Sequence, residues 1–273
     1  MLSNIVFNYF IVAVLGMGVM GAALSTVISQ IISSTLCFLY IIKYLPILKI
    51  KKSDMSLDKK IFFTSWQYGT TSALQQSSLF IGKLLVQRAI NELGTASIMA
   101  YTADICIEQL ILAFGDSGAA AIAVFVAQNY GHNEKERVIG GLKQGIRLMV
   151  TTGAVLSIIL FIVKKWILIL LISKDNLHST LIALSYLNIM CFFYPLSFTA
   201  NSFQGYFRGT GMIQLTFAAT LTQIVIRVIL TYNMTGFFQL KAVAFATGIG
   251  WAVMILIQII SFYKTQNRVE EKA

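Results

Sequence analysis

Proline is almost missing from this chain: Pro46 and Pro195 are the only two in 273 residues, so little interrupts long helices. Cysteine is as scarce, with Cys37, Cys106 and Cys191 all inside apolar runs and without paired spacing. That pattern argues against a disulfide scaffold or a thiolate metal site and reads all three as small core residues. His132 and His178 fall in expected loops, no Gly-rich loop ends in Lys-Ser or Lys-Thr, and no Cys/His cluster occurs. Hydrolytic, redox and nucleotide-driven chemistry therefore have no residues to carry them, and the chain reads as a non-enzyme without a cofactor. Charge is short as well, at 12% of residues, about half the share of a soluble domain.

What is present is apolar. Hydrophobic residues make up 57% of the chain, more than a water-soluble core can hide. Charge-free runs cover residues 1–42, 61–82, 176–207, 209–226 and 242–263, and a helix needs about 20 apolar residues to cross the hydrocarbon. Ten-residue segments of strict alternation are absent, which argues against a transmembrane barrel. The expected fold is an all-α integral membrane protein of seven transmembrane helices, over residues 16–44, 61–91, 96–129, 138–163, 177–206, 211–233 and 241–263.

The excess of positive charge, +10 overall, sits between these spans rather than on one soluble face, which points to the lipid bilayer and away from nucleic acid. Alternating the spans puts fourteen basic residues on one side: Lys43, Lys49, Lys51, Lys52, Lys59, Lys60, Lys135, Arg137, Lys143, Arg147, Arg208, Lys264, Arg268 and Lys272. Five (Arg88, Lys164, Lys165, Lys174 and Lys241) lie on the other, and Lys83 and Arg227 remain within spans. The richer side is expected to be cytoplasmic. The first residues lack a basic stretch and a small-residue cleavage site, so they do not read as a secretory signal.

A repeat emerges at an offset of 221 residues, where GAALSTVISQ from Gly21 matches AVAFATGIGW from Ala242 at Ala23, Thr26 and Ile28. Upstream, Asn4-Ile5-Val6 resembles Gln223-Ile224-Val225. The expected organisation follows: residues 1–44 as the tail of a truncated N-lobe, 45–60 as a basic cytoplasmic linker, 61–264 as a six-helix C-lobe, and 265–273 as a cytoplasmic tail. Leu2 to Leu15 would span about 21 Å as helix, too short to cross.

Several separated segments, in order, carry a family resemblance. GMGVMGAALSTVISQ from Gly16 resembles the loop and start of the sixth helix of the multidrug and toxic compound extrusion (MATE) transporters. FVAQNYGHNEKERV from Phe125 is similar to the segment joining that family's eighth and ninth helices, and AYTADICIEQL from Ala100 to the preceding half-helix. FQGYFRGTG from Phe203 and the in-span Arg227 also sit where the family has similar residues. The resemblance, from about Asn4 to Lys264, implies two six-helix lobes and export of amphipathic or cationic molecules by alternating access, with Na⁺ or H⁺ as coupling ion. It also implies a missing N-lobe as partner, because the family's first five helices and the carboxylate that many members use there have no counterpart here. Thr71 stands where the family often has Pro, and residues 75–79 hold no carboxylate, so a Na⁺ site of the kind some members carry there is not expected. Two alternatives stay open: a membrane fragment or half-transporter needing a separate N-lobe, and a lipid-linked saccharide flippase of the same superfamily.

Within the spans, ionisable residues are functional candidates because they are costly in hydrocarbon. Asp104 and Glu108 share a helix face, while Asp116 falls near the far interface. Lys83 and Asp104 lie about 16 Å from the hairpin centre on consecutive helices, which makes them either a structural ion pair or part of an ion-coupling network with Glu108. If Lys83 holds Asp104, Glu108 is the proton carrier. Thr71, Gln75 and Ser78 recur at i, i+4 and i+7 with Gln76 alongside, a stripe that lines a substrate cavity or bonds a neighbouring helix. Around Pro195, where a kink is expected, Tyr194 and Asn201 are substrate-binding candidates through cation–π and polar contact. No residues are expected to bind a metal as a resident cofactor.

Overall fold

A computed structural model describes residues 2–45, 58–172 and 176–270. Pro46, Lys49, Lys51, Lys52, Lys174 and Lys272, and so most of the expected linker, lie outside the described residues. The described residues are almost entirely helical, without a strand, and the chain divides into two units, residues 1–62 and 63–273.

In the first unit, α1 (Leu2–Asn8) runs into a π-helical turn (Tyr9–Val14) and, after Gly16 and Gly18 at positive φ, into α2 (Gly18–Tyr44). The first two helices pack by polar contacts: Asn4 Nδ2 donates to Thr26 Oγ1 at 3.3 Å and Ser25 Oγ to Asn8 Oδ1 at 2.5 Å, while Asn8 Nδ2 donates to Asn4 Oδ1 within α1 at 3.0 Å. Such bonds are the usual glue between membrane helices, where apolar burial adds no driving force.

The second unit holds most of α3 (Lys59–Asn91) together with α4 (Thr95–Gly131), α5 (Lys135–Leu171), α6 (Leu177–Gly209), α7 (Ile213–Phe238) and α8 (Leu240–Glu270). Asp58 accepts from the Lys60 and Ile61 amides at 2.7 and 3.3 Å, an N-cap that starts α3. Tight turns at Gly94 and at Gly211, both at positive φ, join α3 to α4 and α6 to α7. Gln239 alone separates α7 from α8, with φ 49° and ψ −133°.

α6 is the hub. It packs on α4, α5 and α8 and touches α7, and it runs unbroken through Pro195. Gly205 and Gly209, one turn apart, lie against the backbone of α4: a Cβ on either would come within 2.5 Å of the Ala119 carbonyl oxygen or 2.7 Å of that of Ala123. Small residues at this spacing let membrane helices close to backbone contact. The core gathers Val86 and Ile90 of α3, Ile107 of α4, Leu142 of α5, Leu187 and Phe198 of α6, and Val243 of α8.

Large apolar side chains face outward: Val19 is 90% exposed, Leu170 86% and Phe237 85%. Among the described residues six helices are long and apolar enough to cross a membrane, and this surface is what lipid would cover. α3, the seventh expected span, is long enough at 33 residues, but its hydroxyls, amides and basic residues leave it outside that six.

Three expectations change. α5 continues to Leu171 rather than residue 163, so Lys164 and Lys165 belong to the helix, not a loop. Lys164 is buried, bonded through Nζ to Asn188 Oδ1 and 3.3 Å above the Phe161 ring, which is why a cation tolerates that position. His178 lies in the first turn of α6. Only Cys191 is a core cysteine, since Cys37 and Cys106 are exposed.

Candidate ion and substrate site

Three residues of α4 share its buried stripe. Tyr101, Asp104 and Glu108 are 2%, 0% and 8% exposed, and their 3-4 spacing puts them on one face, turned toward α6. There Tyr186 Oη donates to Glu108 Oε2 at 3.2 Å, and its ring meets that of Tyr101 edge-on at 6.0 Å. From α7, Arg227 Nη2 donates to Tyr101 Oη at 3.4 Å. Glu108 thus sits in a lattice of two tyrosines, with the charges of Arg227 and, more weakly, Lys83 in electrostatic range.

Asp104 is different. Neither carboxylate oxygen has a hydrogen-bond partner among the described residues, and its strongest charged neighbour is Glu108, of the same sign. The expected Lys83–Asp104 pair is therefore not formed. Lys83 lies on an exposed face of α3, its Nζ 5.7 Å from the Phe80 ring centroid. Matched depth on two helices sets how far down two groups lie but not which way round each helix they point.

Tyr194, one face along α6, is sealed with an unpartnered hydroxyl and packs on Trp251 at 6.3 Å between ring centroids. Both acids lie in its electrostatic surroundings. The other candidates are apart from this group. Gln75 donates through Nε2 to Thr220 Oγ1 of α7 at 2.9 Å, so it joins two helices. The Thr71 and Ser78 hydroxyls bond their own helix at Gln67 O and Leu74 O, both at 2.8 Å, and Gln76 is exposed. Asn201 packs where α4 carries Gly115 and accepts from Gln204 Nε2 at 3.3 Å.

Tyr101 and Tyr186 escaped the sequence reading, as did Arg227 as a member of the site. Tyr101 was detectable as the i−3 and i−7 neighbour of the two acids, and Tyr186 as the residue two turns before Tyr194. Among the described residues no three His, Cys, Asp or Glu side chains come together as a metal site would need.

Comparison with known proteins identifies the family of this all-helical unit with acids sealed in its spans. The family model for MatE matches residues 71–233. The chain belongs to the MatE family. The probable multidrug resistance protein YoeA of Bacillus subtilis (strain 168) is 24% identical over 163 residues, which are 59% of this chain and 35% of that protein. Among solved structures, one described as MATE in complex with MaL6 aligns with a TM-score of 0.85 at 20% identity, over 98% of this chain and 60% of that one. An outward-facing multidrug resistance MATE transporter of the MOP superfamily aligns at 0.86 with 19% identity and the same coverages. A MOP superfamily transporter from Pyrococcus furiosus, described as having a binding pocket of reversed polarity, aligns at 0.84 with 19% identity, again over 98% and 60%. The MatE chain spans about 60% of the length of these structures, and at such identities they share its fold.

Proposed function

We propose that this chain forms one lobe of a secondary active exporter of amphipathic or cationic small molecules, and that Asp104 carries the coupling ion, H⁺ or Na⁺. The observation that carries the proposal is Asp104 itself: a fully buried carboxyl in a membrane helix with both oxygens unpartnered. An unpaired charge there is costly, so the site calls for a proton or a cation that comes and goes. Glu108, held by Tyr186, positions the tyrosine lattice. This reverses the roles expected from Lys83, because that lysine does not reach Asp104. The buried Tyr194, beside the acids, packs on Trp251, an aromatic pair that an organic cation would meet when the unit opens. YoeA, described as a multidrug resistance protein, supports the substrate class.

The partner in this reading is a first lobe, since alternating access rocks two halves about a midplane site. The test joins the chain to a first lobe from a structural relative and measures dye efflux from proteoliposomes under an imposed pH or Na⁺ gradient. Asp104→Asn should cut gradient-driven efflux at least about tenfold, the scale of losing one ionisable group's coupling, with normal folded yield. Unchanged gradient dependence in Asp104→Asn would overturn the assignment, and robust energised efflux by residues 1–273 alone would overturn the one-lobe reading.

The cell membrane is the proposed location, with the α2–α3 connection and the C-terminus in the cytoplasm, following the basic asymmetry. In a background without native cysteines, Thr265→Cys should resist impermeant thiol reagents in intact cells and Glu92→Cys should react. The opposite pattern would invert the topology.

A further inference from the structure

Away from the acids, α3 and α7 enclose a cavity of about 20 Å³ at the level of Gly82, with Lys83, Gln223, Ile224 and Arg227 in its wall. It stays open because Gly82 has no side chain: a Cβ there would come within 2.5 Å of Ile224 Cγ2. Its size suits one water or one monatomic ion. No acidic residue lines it.

The wall chemistry is that of an anion site. Two of the lining side chains are permanent or near-permanent cations, and Gln223 adds a primary amide. Arg227 Nε is buried and has no hydrogen-bond partner among the described residues, while Nη2 is turned to Tyr101 on the far side. Glu108 acts on both cations, yet it is tied to Arg227 through Tyr186 and Tyr101 rather than sitting in the cavity. Arg227 thus leaves a buried, unpartnered N–H donor at a small, partly aliphatic space that Lys83 and Gln223 also line, and charge-assisted N–H donors hold an anion strongly in such surroundings. The exposed Lys83 leaves the cavity reachable from the surface of α3.

We infer that the Lys83–Arg227 cavity binds a small monovalent anionic group, supplied either by free halide or by the carboxylate of a bound molecule. The inference stands on α3 and α7 and is independent of transport by Asp104. Its occupant would clamp these two helices together, and would let a ligand carry an acidic group beside a basic one.

Thermal unfolding of the detergent-purified full chain, followed by tryptophan fluorescence, tests it without transport. Sodium chloride, bromide and acetate are each titrated against methanesulfonate, which carries no carboxylate, at constant ionic strength, so that general screening is held fixed. A ligand that binds only the folded state raises the midpoint saturably. A rise with chloride and bromide identifies halide as the occupant, and a rise with acetate alone identifies a carboxylate. Lys83→Gln should weaken the response about tenfold, the scale of one hydrogen bond to a charged group, and leave the midpoint in methanesulfonate unchanged because Lys83 is exposed. A wild-type midpoint indifferent to all three anions overturns the inference. So does a Lys83→Gln protein that responds as the wild type does.

Discussion

α3 and α6 are both 33 residues long, yet α6 buries sixteen of its residues in the described structure and α3 only five. α6 is wrapped by its neighbours, with tyrosines, phenylalanines and small residues filling its faces. α3 meets α7 at a few points, among them Gln75 with Thr220 and Gly82 with Ile224, and keeps its hydroxyls, amides and Lys83 on the remaining faces. Equal length therefore hides two tasks. The buried helix sets how the unit holds together, and the exposed one presents chemistry to whatever approaches it.

Glycine substitutions should separate the two helices most sharply. Gly205→Ala puts a methyl within 2.5 Å of the Ala119 carbonyl oxygen, a clash with backbone that no rotamer relieves. A cost of about 1–3 kcal/mol is expected for overpacking of this kind. Gly69→Ala, on α3, meets nothing within 4 Å and should be neutral or stabilising by up to about 1 kcal/mol through helix propensity. Monodisperse yield after detergent extraction and the thermal midpoint would measure both. Equal behaviour of the two variants would remove the distinction between the helices.

A smaller effect is expected where α3 does engage. Gln75→Leu loses the bond to Thr220, and the midpoint should fall by the equivalent of about 0.6–2 kcal/mol, the range for polar bonds between membrane helices. Thr220→Val should cost a similar amount, and the double variant no more than either alone if the pair acts as a unit. Additive losses would show that the two side chains are stabilised separately.

The helices were legible in the sequence because hydrocarbon demands long apolar runs, and the buried face of Asp104 and Glu108 followed from their spacing. The end of α5 was not, because Lys164 reads as a boundary until Asn188, distant in sequence, and Phe161, one turn back, are seen to accommodate it. The partner of the acids was missed for a geometric reason. Rise per residue gives depth, whereas the rotation of α3 about its own axis depends on what α7 offers it, and with Gly82 against Ile224 Lys83 lies on an exposed face of α3. Gln75 illustrates the same limit, since periodicity showed that the stripe of Thr71, Gln75 and Ser78 shares a face but not which side chain a neighbour would claim.

The two remaining hydroxyls of that stripe carry the smallest prediction and sharpen the contrast most finely. Thr71 Oγ1 and Ser78 Oγ each bond a carbonyl four residues back in their own helix, an arrangement that adds little or slightly weakens a helix. Thr71→Ala and Ser78→Ala should therefore leave the midpoint within about 0.5 kcal/mol of the parent, as for surface substitutions away from special features. Because they leave the fold intact, any change they cause in stabilisation by an added organic cation, such as a quaternary ammonium dye, reports contact with that cation. Loss of the dye's stabilising shift in Ser78→Ala, with an unchanged midpoint in its absence, would place the α3 stripe in a substrate cavity. A midpoint that drops sharply without dye would show instead that these hydroxyls hold α3 in place, and α3 would then resemble α6 more than its exposure suggests.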